Sequence, residues 1–542
     1  MKCCGLALAL AAVGAAAVEV ADPAAPPAAN LEATDFEATD FEALARRLGT
    51  ASFREKQVLV EQLAATEDAR VQALLEALLA GALYRDAVGG GMVAIEGERR
   101  TPLAGTVRAD APRADLRKIA VNNSLRSVLR PLLAVTRLRD PDPEVRVAAA
   151  RTLTGTAPAA LAVTLERVRA GETDDGVRAA LDVALASLRL ADSDPAVRSG
   201  AIAILVRQND KAILTLLEQR AALERDAEVA ERLTRAVESL RQREQQFAFV
   251  ADLFFGLSLG SVLLLAAVGL AITFGVMGVI NMAHGEMIML GAYTTYVVQL
   301  LMPDHIGLSL AVAVPAAFVV SGAVGVLIER GVIRFLYGRP LETLLATFGI
   351  SLILQQLVRT IFSPLNKSVI TPQWLSGSWQ VNGMLSLTYN RLYIILFALA
   401  VLLALVALLR KTPIGLQMRA VTQNRAMASS MGIPTGRVDA LTFGLGSGIA
   451  GIAGVALSQL TNVGPNLGQS YIIDSFLVVV FGGVGNLLGT FVAAMSLGVV
   501  TKFAEPLVGA VLAKILILVF VILFIQRRPR GLFAPKGRFV GD

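Results

Sequence analysis

Eight strongly apolar runs follow one another through the second half of the chain, near 252–276, 287–302, 307–328, 343–362, 391–409, 439–460, 471–500 and 507–526. A helix needs about 20 apolar residues to cross the ~30 Å hydrocarbon core of a bilayer, and in lipid only helices and closed barrels satisfy their own backbone. The runs therefore predict a polytopic α-helical membrane domain over 250–528, with about eight or nine spanning segments. The 54 % hydrophobic content of the 542 residues is lopsided, because these long runs all lie after about residue 250. The only cysteines are Cys3 and Cys4, and the only histidines His284 and His305. That argues against disulfides, thiol catalysis and a Cys/His metal cluster. No serine–histidine pair stands at a recognisable spacing either, so the chain reads as a non-enzyme with no cofactor of its own. The net charge of +6 does not point to nucleic acid, because much of the Lys and Arg of the membrane half lies in short segments between runs, where it orients the chain in the lipid.

The front half reads differently. Residues 1–17, "MKCCGLALALAAVGAAA", combine Lys2, a short apolar core and small residues at the end, the pattern of a secretory signal. Residues 18–30 follow as a Pro/Ala-rich linker. From 31 to 245 helical spacing dominates, interrupted near 82–113 by glycines and alternating apolar residues that suggest a small hairpin. "DPDPEVRVAAARTL" at 140 recurs as "DSDPAVRSGAIAIL" at 192, and the register holds onward through Val177 and Val229, an offset of 229 − 177 = 52 residues. A repeat of this length that opens with Asp-x-Asp-Pro resembles HEAT-type helical arrays. Asp142 and Asp194 are expected to cap helices with Pro143 and Pro195 at the first helical position. Such an array offers a surface to a partner or serves as a spacer. The expected fold is all-α, an extracytoplasmic repeat domain over 31–245 followed by the membrane domain.

Charge orients the spans. "ERGVIRFLYGRP" (329–340), the segment 410–439 and the tail "RRPRGLFAPKGRFVGD" carry clustered Arg and Lys, which places them on the cytoplasmic side. The stretch 363–390 has a single lysine and both tryptophans, which suits an outer loop, and counting back puts the repeat domain outside as well. Parity then requires one long run to be broken if the tail, 529–542, is to end inside. Gly482, Gly483 and Gly485, within "VVVFGGVGNLLGTF", mark the break.

The inner segment 410–439 contains "RAMASSMGI", with Ala426, Ala428 and Gly432. It resembles the Glu-Ala-Ala loop of ABC importer permeases, although the leading glutamate is missing and Gln423 or Asn424 stands nearby. No Gly-Lys dipeptide occurs in the chain, so a phosphate-binding Walker loop is absent and any ATP must be bound by partner subunits. "GVINMAHGEMIMLGAY", "GLQMRAV", "MGIPTGRVDALTFGLGSGIAGIAGVAL" and "VVVFGGVGNLLGT" together are similar to the branched-chain amino-acid permease family of ABC importers, of its first permease type. "NVGPNLGQSYIIDSFLVVVFGGVGN", "FIQRRPRGLFAPKGR" and the long outer domain more narrowly resemble the urea-transport permeases. The resemblance implies a bacterial inner-membrane complex with a second homologous permease, two cytoplasmic ATPases and a periplasmic substrate-binding protein, the ATPases acting through Arg419, Ala426, Ala428 and Gly432. Membrane lipid is the remaining partner.

Candidate path residues follow from polar groups within apolar surroundings. Asn281, His284 and Glu286 lie between two apolar runs. They form a plain inner turn, a discontinuous helix that offers its polar groups to the path, or an ion pair with an arginine. Thr347, Ser351 and Gln355, at i, i+4 and i+8, form one polar stripe, suited either to a small amide such as urea or to bonding between helices. Asp474 precedes the glycine break and serves as a path residue or a helix cap. Gly444, Gly448, Gly451 and Gly454 are expected to let helices approach closely. A branched-chain amino acid is the main alternative substrate. An ion-coupled secondary transporter or channel would share the hydropathy without the inner loop, and a membrane-tethered sensor would require an output domain that is not recognised.

Overall fold

The computed structural model describes residues 41–533, apart from 67, 97, 98, 106, 108–111, 113 and 114. The signal peptide at 1–17, the linker at 18–30 and the tail beyond 533 lie outside the described residues. The chain forms two compact units that divide between Ala184 and Leu185.

The first unit opens with helices α1 (Phe41–Leu48), α2 (Phe53–Ala65) and α3 (Val71–Leu79), followed by strands β1 (Leu83–Asp86), β2 (Met92–Glu96), β3 (Arg99–Ala104) and β4 (Leu116–Lys118). The strands form an antiparallel sheet of order β3-β2-β1-β4. The hairpin expected near 82–113 is thus part of a four-stranded sheet, and the all-α expectation is corrected to a mostly helical fold with small sheets. The apolar run "MVAI" is too short a signal to count the strands that pair beside it. Helices α4 (Asn123–Arg137), α5 (Pro143–Leu153), α6 (Ala162–Gly171) and α7 (Asp175–Arg189) complete this part of the chain.

In the second unit α8 (Pro195–Leu205) and α9 (Lys211–Ala221) lead into α10 (Ala227–Met277). The 52-residue offset recurs in the hydrogen bonds, each repeat within its own unit. Asp142 caps α5 through Glu144 N–H at 2.9 Å, and Asp194 caps α8 through Ala196 N–H at 2.8 Å. The Arg146 guanidinium forks onto Glu172 through Nε and Nη2, both at 3.0 Å, and Arg198 forks onto Glu224 in the same way at 3.0 and 2.8 Å. The Arg146 fork and the Asp174 and Thr173 amides hold the Glu172 carboxyl below the ordinary value of 4.5. Burial pushes Glu224 up, but the amides of Asp226 and Arg225 together with Arg198 outweigh it and the net direction is down. A carboxyl lowered on folding stabilises above its unfolded value and loses that contribution as pH falls through the folded value. Circular dichroism of the detergent-solubilised chain should hold from neutrality to about pH 4.5 and lose helix below it, and Arg198→Ala should lose helix at a higher pH. An unchanged acid profile in that variant would contradict the pairing.

Helix α10 runs 51 residues without a break, about 75 Å at 1.5 Å per residue. Its first turns bury one stripe, Val229, Leu233, Ala236, Val237 and Leu240. From Gly260 to Thr273 it is buried all round, as the central helix of a bundle must be. It ends where Gly278, at φ +65°, takes the left-handed cap.

The bundle continues through α11 (His284–Leu301), α12 (Ile306–Gly331), α13 (Pro340–Phe362) and α14 (Tyr389–Lys411), with the ribbon β5 (Ser378–Gln380) and β6 (Ser386–Thr388) before α14. Two short helices, α15 (Pro413–Gln423) and α16 (Arg425–Ser430), precede α17 (Thr435–Ser458), α18 (Leu467–Gly482), α19 (Leu487–Val508) and α20 (Ala510–Arg527). Seven of the described helices are long and apolar enough to cross a membrane: α10, α12, α13, α14, α17, α19 and α20. The run 471–500 is divided between α18, of 16 residues, and α19. Between them Gly483 and Gly485 adopt φ of +102° and +78°. The carbonyls of Phe481 and Gly482 accept from Leu532 and Phe533 at 2.9 and 3.3 Å, so the start of the tail satisfies backbone that the break exposes.

Contacts sort the connections into two ends. Lys367 and Val463 exchange backbone hydrogen bonds of 2.7 and 2.9 Å, and Asp210 of the last repeat bridges Gly383 of the 363–390 segment. At the other end Arg425 pairs with Asp439 and Tyr337 bonds Glu329.

Candidate functional site

The segment 278–283 is irregular, and its geometry is set by local hydrogen bonds. The Asn281 side-chain oxygen accepts from Ala283 N–H at 3.0 Å, an Asx turn that aims the chain into α11. His284, the first residue of α11, is fully buried and its Nε2–H donates to the Ala266 carbonyl at 2.8 Å. Ala266 lies 277 − 266 = 11 residues before the end of α10, roughly 16 Å along its axis. Helix α11 therefore starts inside the bundle. Its second residue, Gly285, lies against the backbone of Gly468 in the first turn of α18, so the N-terminal ends of two helices meet there. His284 and Glu286 thus stand at a helix start within the bundle, and their hydrogen-bonding partners are groups other than arginine.

Glu286 occupies the first turn of α11, where its charge complements the helix dipole. It is 1 % exposed. Its Oε1 accepts from the Ser351 hydroxyl at 2.9 Å and from the Gln355 amide at 2.7 Å, while its Oε2 has no partner among the described residues. Thr347 Oγ1 accepts from Met282 N–H at 3.1 Å and donates to the Thr343 carbonyl at 2.9 Å. The stripe on α13 and the motif on α11 are thus one site, although 65 and 69 residues separate Glu286 from Ser351 and Gln355. Next to it is a cavity of about 110 Å³ lined by Leu270, Phe274, Asn281, Met282, Ile472 and Phe476 among others. Glu286, Ser351 and Gln355 are not among the residues that line this cavity; Asn281 and Met282 connect the two.

Asp474 belongs elsewhere. It accepts from Lys514 of α20 at 3.3 Å and lines a second cavity, of about 90 Å³, with Leu259, Tyr471 and Thr501. Sequence reasoning missed Lys514, whose only signal is a charge near the start of the last apolar run.

At the far end Arg419 donates to the Leu409 carbonyl and so caps the end of α14. Ala428 is buried, and Ala426 is exposed. Gly432, at φ +82° with open space around it, turns the chain after α16, a conformation that suits glycine. Met427 on this short helix and Met431 at its C-cap, 60 % and 76 % exposed, stand one turn apart. Arg425 forks onto the fully buried Asp439 of α17 and lies over the Tyr337 ring at 4.5 Å from its centroid, while Tyr337 donates to Glu329 of α12 at 2.9 Å. This chain of groups joins α16 to two membrane helices. Sequence reasoning missed both the chain and the methionines, whose signal is the spacing of two large apolar residues in a basic loop.

A family model described as "Branched-chain amino acid transport system / permease component" matches residues 253–525. The "High-affinity branched-chain amino acid transport system permease protein LivH" of Salmonella typhimurium is 31 % identical over 301 residues, covering 53 % of this chain and 96 % of the relative. The protein of the same name from Escherichia coli is 30 % identical over 299 residues, covering 53 % and 96 %. The corresponding BraD of Pseudomonas aeruginosa is 29 % identical over 297 residues, again covering 53 % and 96 %. No solved structure matches significantly. The family match begins at residue 253, within α10, so the repeats lie outside it.

Proposed function

The chain belongs to the family of branched-chain amino acid transport system permease components, and from that premise we propose that it is the membrane-spanning subunit of an ATP-driven importer whose solute is urea. In this reading the basic end with α15 and α16 faces the cytoplasm, the repeats face the periplasm, and the tail ends inside. The exposed pair of Met427 on α16 and Met431 at its C-cap carries the assignment of coupling, since a short helix with large apolar side chains in solvent offers knobs to a groove of a cytoplasmic ATPase. A second homologous permease, two ATPases and a periplasmic binding protein complete the assembly. ATP closure moves α16, and the Arg425–Asp439 and Tyr337–Glu329 contacts pass that movement to α17 and α12.

Urea rests on the narrower motif resemblance and on a site whose groups are mainly neutral hydrogen-bonding ones, Thr347, Ser351, Gln355 and Asn281. A specific observation favours a second substrate, a branched-chain amino acid. The cavity beside Asn281 is walled by Leu270, Phe274, Ile472, Ile473 and Phe476, a lining for an apolar side chain, and the relatives are named for that substrate. Uptake of radiolabelled urea and leucine at low concentration, in cells with and without the gene, decides between them. Loss of urea uptake alone supports the first reading and loss of leucine uptake alone the second. Loss of neither contradicts both.

A further inference from the structure

We infer that Ser351 and Gln355 stand in for substrate on Glu286, and that a substrate N–H donor takes their place when α13 moves away from α11. The inference rests on the importer reading above. A carboxylate has about four acceptor sites on two oxygens. Among the described residues Glu286 uses only Oε1, for one amide and one hydroxyl, and leaves Oε2 buried and unpartnered. A buried carboxylate without donors is costly, so whatever separates α13 from α11 must bring donors of its own. The carboxamide NH₂ of Gln355 has the same donor chemistry as a urea amide, and an amino-acid ammonium offers N–H groups of the same kind.

Helix α13 turns a mostly polar face inward. Its buried residues are Thr343, Thr347, Ser351, Gln355 and Val358, four of them polar, while Leu345, Phe348, Leu352, Ile353 and Leu357 are exposed. Thr347, Ser351 and Gln355 meet the segment of Met282 and Glu286 through hydrogen bonds, which can be exchanged for bonds to a solute, while Leu354, Val358 and Phe362 near the end of α13 pack with Met289, Ala292 and Tyr293 of α11. Left-handed residues flank it, Gly338 at φ +81° before it and Ser363 at φ +78° after it, and Ser363 is the one non-glycine residue with positive φ among the described residues.

A cleavable thiol cross-linker tests this in the assembled transporter carrying Tyr293→Cys and Phe362→Cys, positions on α11 and α13 whose rings lie 4.8 Å apart. Cross-linking should cut uptake more than tenfold, and reduction should restore it. Saturating urea or leucine, whichever is transported, should slow cross-linking at least threefold while the nucleotide-bound state turns over. In a Glu286→Gln background cross-linking should proceed and that slowing should vanish. Unchanged uptake after complete cross-linking would overturn the movement of α13, and slowing that persists in Glu286→Gln would overturn the role of the carboxylate. If substrate slows cross-linking, urea or leucine identifies the donor as amide or ammonium. ATP-independent uptake by the wild-type chain would instead contradict the importer reading, a result that the cross-linking rates do not produce.

Discussion

Gly291→Leu should leave almost no monodisperse protein extractable from the membrane. At this position α11 crosses α17 backbone to backbone, and an added Cβ would stand 2.6 Å from the Gly451 Cα and closer still to its carbonyl. Nothing there is a flexible side chain that can yield, so the helices must separate. In a bilayer, close packing of small residues and hydrogen bonds hold helices together without a hydrophobic force between them. Gly454, one turn along α17, meets the Ile288 carbonyl and Ala292 N in the same way. The separation should therefore propagate along the pair and cost about 4 kcal/mol or more, the upper end for a single substitution. Gly349→Leu provides the control, because nothing lies within 4 Å of a Cβ at that position on α13. Size-exclusion chromatography of the two variants at equal expression reads the difference, and a normal monodisperse peak from Gly291→Leu would contradict the crossing.

Arg425→Ala should have the second largest effect, and on coupling more than on assembly. It strips a fully buried carboxylate, Asp439, of its guanidinium partner and removes the group lying over Tyr337. Breaking a buried pair on one side leaves an uncompensated charge and costs roughly 3 kcal/mol. Because Arg425 itself is partly exposed, water recovers some of that. Uptake should fall more than tenfold while ATP hydrolysis by the assembled complex continues without stimulation by substrate. Arg425→Lys should recover little, since an ammonium keeps the charge but loses the two-pronged geometry and the stacking. Adding Asp439→Asn to Arg425→Ala should restore thermal stability without restoring uptake. Uptake that returns with stability would show that the pair serves folding alone.

Much of this arrangement could be read along the chain, because it follows from local chemistry. The apolar runs and the 52-residue repeat are periodic signals, and Asp142 and Asp194 cap because their side chains reach an amide two residues away. Glycine spacing on α17 indicated close approach for the same reason. Bonds between distant residues left no such trace. Glu286 and Gln355 are each explicable alone, one as the acid of a helix start and the other as a polar residue in a stripe, and only the packing of α11 on α13 joins them. Arg425 and Asp439 read as loop charge and helix start until the fold of 425–439 brings them together. The unbroken α10 was hidden by the change from an amphipathic to an apolar pattern near residue 250, which looks like a boundary although the helical hydrogen bonds continue across it.

The most direct measurement is gene-dependent solute uptake with the two possible energy sources separated. Cells treated with a protonophore but supplied with ATP should retain uptake, and cells depleted of ATP with their membrane potential intact should lose it. The opposite pattern, uptake that follows the potential and ignores ATP, would make this chain an ion-coupled transporter and contradict the coupling role of α16.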